Sequence, residues 1–158
     1  MDAYFDWLQN LPFSIWMSES DSLWSYPLIL FLHSVGMGMT AGAAFVVGLR
    51  LLGVGRPLPV SSIRFMFVVF WAGFFLNLIT GSMLFAAAAS KDGHLAIYYT
   101  KLALIAAGMI VSVPVRRFVD SDASDRVIPS RIKALAGVSL ILWVGVITAG
   151  RLVAYVSL

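Results

Sequence analysis

Cysteine is absent from the 158 residues, which at once excludes disulfides, zinc–thiolate centres, iron–sulfur clusters and covalent haem attachment. Charge is scarce as well. Only 12% of the residues are charged and 60% are apolar, where a soluble domain carries about 25% and 45–50%. With a mean hydropathy of +0.91, this balance excludes a water-soluble globule, a disordered chain and a nucleic-acid binder. It leaves an integral membrane protein whose first partner is the lipid bilayer. Acid is missing from every long apolar run: Asp2, Asp6, Glu19, Asp21, Asp92, Asp120, Asp122 and Asp125 all fall outside them. Carboxylates within spans are the usual carriers of cation coupling, so their absence argues against a coupled pump and against magnesium or calcium in the membrane. Nor is there a Ser/His/Asp constellation, a phosphate loop or a carboxylate pair, so the chain reads as a binding or structural protein rather than an enzyme.

What is present is hydrocarbon enough for four spans of roughly 20 or more residues each. They are expected at about 26–52, 63–89, 96–113 and 132–156. Pro114 and the Arg116–Arg117 pair stop the third, and Ser130 caps the fourth after Pro129. Short connections make neighbours antiparallel, so the expected fold is an all-α, up-down four-helix membrane bundle. Residues 1–25 lack a basic leader region, so they do not read as a cleaved signal. Tyr4, Phe5, Leu8 and Leu11 recur at helical spacing beside Trp7, Trp16 and Trp24. That pattern predicts an amphipathic helix lying in the membrane interface, broken or restarted at Pro12.

Lys and Arg set the orientation. Arg50, Arg56 and Arg64 surround the first connection, and Arg116, Arg117, Arg126, Arg131 and Lys133 surround the third. Residues 1–25 carry none, and the second connection carries only Lys91. The expectation is a multi-pass protein of a bacterial inner membrane with both termini on the outer side.

The buried polar groups are basic or neutral and share one depth. At 1.5 Å per residue, His33 lies about 10 Å below the outer end of the first span, Thr80 and Ser82 at similar depth in the second, and Lys101 and Arg151 somewhat shallower in the third and fourth. His33, Gly36, Met37 and Thr40 share a face of the first span. Gly73, Asn77, Thr80 and Gly81 share one on the second, and Thr148 and Arg151 share one on the fourth. A cationic pocket in the outer half of the bundle is expected from this phase. Each group also has a packing role open to it. His33 and Asn77 can bridge helices, Met37 and Met83 can fill the core, Lys101 and Arg151 can snorkel to headgroups, and the Gly38–Gly42 and Gly73–Asn77–Gly81 spacings can serve helix contact.

Several ordered strings carry a resemblance: Pro27-x5-His33-Ser34-x-Gly36, Leu49-Arg50-Leu51-Leu52-Gly53, Gly73-Phe74-x2-Asn77-x2-Thr80-Gly81, Lys101-Leu102 and Trp143-x6-Gly150-Arg151-x2-Ala154-Tyr155. Over nearly its whole length the chain resembles an uncharacterised bacterial four-span inner-membrane family, a domain of unknown function. It is more loosely similar to copper-resistance protein D-like membrane proteins. In the first family the opening span typically ends Asp-Leu-Arg-Leu-Leu-Gly, and here Gly48 stands in place of the Asp. The resemblance implies the fold and membrane location, brings no established activity, and points to His33, Arg50, Lys101 and Arg151.

Four functions compete. Haem b, for electron transfer, would take His33 as axial ligand, with Met83 a candidate opposite, Lys101 and Arg151 as propionate partners, Thr80 and Thr148 nearby, and Gly36 and Gly81 making room. Copper would take His33, Met37 and Met83, a soft set suited to Cu(I). A structural or assembly subunit of a larger membrane complex, or a homo-oligomer, needs none of these. A quinone or other anionic amphiphile is the fourth. Whatever the occupant, residues 1–25 are expected to form a lid over the outer mouth, with Glu19 or Asp21 offering the acid that Lys101 and Arg151 lack.

Overall fold

The computed structural model describes residues 2–55, 59–121 and 127–156. Two short helices, α1 (Asp2–Gln9) and α2 (Pro12–Glu19), precede α3 (Tyr26–Leu52). A 3₁₀ turn (Val60–Ile63) leads into α4 (Arg64–Ala87), the single turn α5 (Ala89–Asp92) follows, and α6 (Ala96–Asp120) and α7 (Ser130–Val156) complete the chain. No strand occurs among the described residues. α3, α4 with its 3₁₀ turn, α6 and α7 are each long and apolar enough to cross a membrane, and they pack as an all-α four-helix membrane bundle. Pro12 opens α2 at its first turn, where the missing N–H costs nothing.

Close backbone approach holds α3 on α4. A Cβ at Gly73 would stand 2.6 Å from Met39 Cβ and 2.8 Å from the Gly36 carbonyl oxygen, and one at Gly36 would stand 3.0 Å from the Gly73 oxygen. Only glycine permits such a crossing, and within a bilayer such close packing is what drives helix association. α7 packs on α3 where Leu140 fills the space left by Gly48, and α6 packs on α7 where the Trp143 ring lies over Gly108. α4 and α6 touch much less. They meet near one end through the stacked rings of Phe85 and Tyr98, 4.8 Å apart. Near the other, Phe67 joins Val115 and Val119 in a core with Leu51, Val60 and Ile63.

α6 corrects one expectation. It does not stop at Val113 but runs through Pro114 and Arg116–Arg117 to Asp120. An interior proline costs about 3 kcal/mol. Burial of Val115 and Val119, 4% and 0% exposed, returns roughly 1.5–3 kcal/mol each. Arg64 adds hydrogen bonds from Nε to the Val119 oxygen at 3.3 Å and from its terminal nitrogen to the Asp120 oxygen at 2.9 Å, satisfying carbonyls that the helix end leaves open.

Candidate functional site

His33 sits on the α3 face that meets α4. Its Nδ1 lies 3.0 Å from Thr80 Oγ1. Thr80 is 2% exposed, and its hydroxyl also reaches the Leu76 oxygen at 2.7 Å. Gly81 makes the approach possible, because a Cβ there would stand 3.0 Å from His33 Cε1. Asn77 completes the bridge. With its amide oxygen accepting from the Met37 N–H at 2.8 Å and its nitrogen donating to the His33 carbonyl at 2.9 Å, the same nitrogen stands 3.0 Å from Nδ1. Nδ1 is therefore committed to α4, and Nε2 is the nitrogen that remains for a ligand.

His33 lines a cavity of about 400 Å³. Its walls are apolar and aromatic, with Met37, Phe74, Phe85, Tyr98, Ile105 and Val146 among them, and among the described residues no carboxylate lines it. Lys101 enters from α6, its stem laid along Gly150 with Cε 3.6 Å from where a Cβ would be. Trp143 lines it from α7. This ring is 3% exposed and is fixed edge-on against Phe70, centroids 5.5 Å apart. Its indole N–H has no hydrogen-bond acceptor among the described residues. A buried donor left unmet costs about 1–3 kcal/mol, and Trp normally keeps its N–H partnered.

The first N-terminal helix, α1, covers one end of the cavity. Tyr4 and Leu8 of α1 line it. Phe5, 7% exposed, inserts beside Phe85 and His94 and over Gly93, where a Cβ would clash with its ring at 2.6 Å. Ser90 ties down the same helix, donating its N–H to Gln9 Oε1 at 3.1 Å and its hydroxyl to Asp6 Oδ1 at 2.9 Å. Trp7, Trp16 and Trp24 remain exposed on the outside, as residues of a membrane interface do.

The expected site residues divide. His33, Met37, Lys101 and Gly81 line the cavity, and Thr80 braces the first of them. Gly36 lies in the α3–α4 crossing instead. Met83 packs against the cluster of Met17, Ile29 and Ala87, so His33, Met37 and Met83 are not brought together. Among the described residues no three of His, Cys, Asp and Glu form a metal-sized cluster. Thr148 is exposed and bonds back to the Val144 oxygen at 2.9 Å. Arg151 is exposed over the Tyr155 ring, 5.9 Å from its centroid. Lys101 and Arg151 therefore do not converge. Glu19 and Asp21 are exposed, and neither lines the cavity. The acid near Lys101 is Asp92 of α5, whose Oδ1 is enclosed without a hydrogen-bond partner among the described residues. Burial pushes its carboxyl above the usual range, against the pull of Lys101 and Lys91.

Trp143, Tyr98 and Asp92 are the site residues that sequence reading missed. Trp143 did carry a signal. Trp gathers at membrane interfaces, and this one falls mid-span, where its N–H has no water to meet. No family model, curated protein or solved structure matches this chain.

Proposed function

We propose that this protein binds a membrane-soluble, acceptor-bearing ligand in the covered cavity of its four-helix bundle, in a bacterial inner membrane. One observation carries the reading: an apolar cavity, with no carboxylate on its wall among the described residues, is lined by the His33 imidazole and the Lys101 ammonium group. Such a donor set recognises oxygen acceptors or an anion and rejects cations. Extraction of protein purified in mild detergent, followed by mass spectrometry, tests it; a co-purifying organic molecule near one per chain is expected.

Haem b with an electron-transfer role is the second reading. It is favoured by His33, whose Nδ1 is held by Thr80 while Nε2 is left for the cavity, as ligating histidines are commonly held. Lys101 is the available propionate partner. An optical spectrum decides: a Soret band supports haem, and its absence removes it. Copper handling or a place in a larger membrane complex would show instead in metal analysis or co-purification.

The proposed orientation puts the lid and both termini outside, because basic residues gather at the other end of the bundle. The cysteine-free chain makes this simple to test. Ser90→Cys should react with an impermeant maleimide added to intact cells with a permeabilised outer membrane, and Ser130→Cys only after lysis.

A further inference from the structure

Resting on the ligand-site reading above, we infer that the occupant is a long-chain monocarboxylate, a fatty acid with its head at Lys101 beneath α1 and its single alkyl chain running down the bundle. The polar groups of the cavity are sorted by depth. At the deep end the Thr40 hydroxyl is bonded to the Gly36 oxygen at 2.9 Å, among the apolar side chains of Met37, Phe74, Ile105 and Val146. Higher up, the Asn77 amide is committed to α3 and the Ser82 hydroxyl to the Leu78 oxygen at 2.7 Å. Lys101 lies nearer α1. It makes no hydrogen bond or ion pair among the described residues, and its Nζ is not among the enclosed, unpartnered atoms, so it is open to an occupant. Asp92 is felt by Lys101 through its charge, yet it forms no ion pair with it and does not line the cavity. An ammonium group stranded against apolar walls is stabilised by an anion brought to it. One charged head above an unbroken apolar end is the complement of a fatty acid.

Shape points the same way. Along α4 the wall runs from Phe74 to Ala86, about 18 Å of helix. A water-sized group takes about 30 Å³ in a liquid, so about 400 Å³ holds roughly thirteen methylenes. An extended chain advances about 1.2 Å per bond, so roughly thirteen of them reach about 16 Å, nearly the length of the slot. A compact ring of equal volume leaves one end of it empty, and a two-chain phospholipid is too large. Leu78 and Ser82 of α4 and Leu102 of α6 line the cavity and are exposed at bilayer depth, which lets an amphiphile enter from the lipid.

The test uses the full chain in lipid nanodiscs, titrated with dodecanoate, dodecanol and dodecyltrimethylammonium, and read by thermal shift. Saturable binding of dodecanoate is expected, with dodecanol about tenfold weaker, the worth of one charge-assisted hydrogen bond, and no binding of the cation. Lys101→Met, with Lys101→Gln as a second variant, should weaken dodecanoate about tenfold and leave dodecanol unchanged. Orientation is read by tryptophan quenching. Dodecanoate brominated at its terminal carbon should quench Trp143, assigned by difference from Trp143→Phe, and dodecanoate brominated beside the carboxylate should quench it much less. Should Trp143→Phe fail to fold, the head-group series and the Lys101 variants carry the same test. Equal affinity for dodecanoate and dodecanol, unchanged dodecanoate affinity in both Lys101 variants, or binding of menaquinone-4 or phosphatidylglycerol with no dodecanoate binding overturns the fatty-acid inference while leaving a ligand site. No binding by any probe, with no co-purifying molecule, removes both.

Discussion

His33 Nδ1 and Thr80 Oγ1 meet at 3.0 Å across 47 positions of sequence, and this contact aims the imidazole. Thr80→Val keeps the shape and deletes the hydroxyl. It should cost about 1 kcal/mol of stability and, by freeing the ring, weaken ligand binding several-fold. Thermal unfolding in detergent and ligand titration read the two effects separately.

The α3–α4 crossing gives a second prediction. Gly73→Ala places a Cβ within 2.8 Å of Met39 Cβ, Thr40 Oγ1 and the Gly36 oxygen, and two of those atoms belong to backbone or a Cβ that cannot swing away. A loss of about 2 kcal/mol or more is expected. Gly38→Ala and Gly42→Ala meet nothing within 4 Å and should be neutral or up to about 1 kcal/mol stabilising, from helix propensity. Parallel thermal melts of the three variants check this, and equal losses would contradict it.

Phe5 is the anchor of the lid. Its truncation to Ala removes a docked ring worth about 3 kcal/mol, which corresponds to roughly a hundredfold in lid closure. Hydrogen exchange in α1 and α2 should accelerate by that order, while α3, α4, α6 and α7 keep their protection.

Asp92 predicts a pH dependence. Its carboxyl is raised by burial, with Lys101 and Lys91 opposing, so the folded chain holds this proton more tightly than the unfolded one. Stability therefore falls as pH rises from the ordinary carboxylate range through the raised value, then levels off. Asp92→Asn lacks this contribution. Its melting temperature should match or exceed wild type at neutral pH, and the gap should close on acidification.

Much of this architecture was legible from hydropathy, because a bilayer admits few backbone solutions. The four helices, the restart at Pro12 and the inward phase of His33, Met37 and Lys101 all follow from period and depth. Helical phase failed at Arg151 and Thr148. The two share a face, but it is the outward one: the buried stripe of α7 runs through Ala136, Ser139, Trp143, Val146, Ala149 and Val153, and Arg151 lies opposite it over the Tyr155 ring. Pro114 carries a local signal to stop, and the tertiary contacts of Val115 and Val119 that override it are invisible to local sequence. Asp92 was invisible as a partner of Lys101 because it sits in a turn whose path depends on Gly93 and Phe5. The Trp143 ring suits a core by composition, and that its N–H lacks a partner among the described residues depends on tertiary packing the sequence does not display.

The most direct test of a ligand-binding cavity is the small-molecule content of two purified proteins, wild type and Ile105→Trp, compared by native mass spectrometry. Ile105 lines the cavity, and an indole there fills the space a ligand needs. Wild type should carry a bound organic molecule near one per chain, and the folded variant should carry little or none. A wild-type chain that arrives empty, or a variant that carries the same molecule to the same extent, contradicts it.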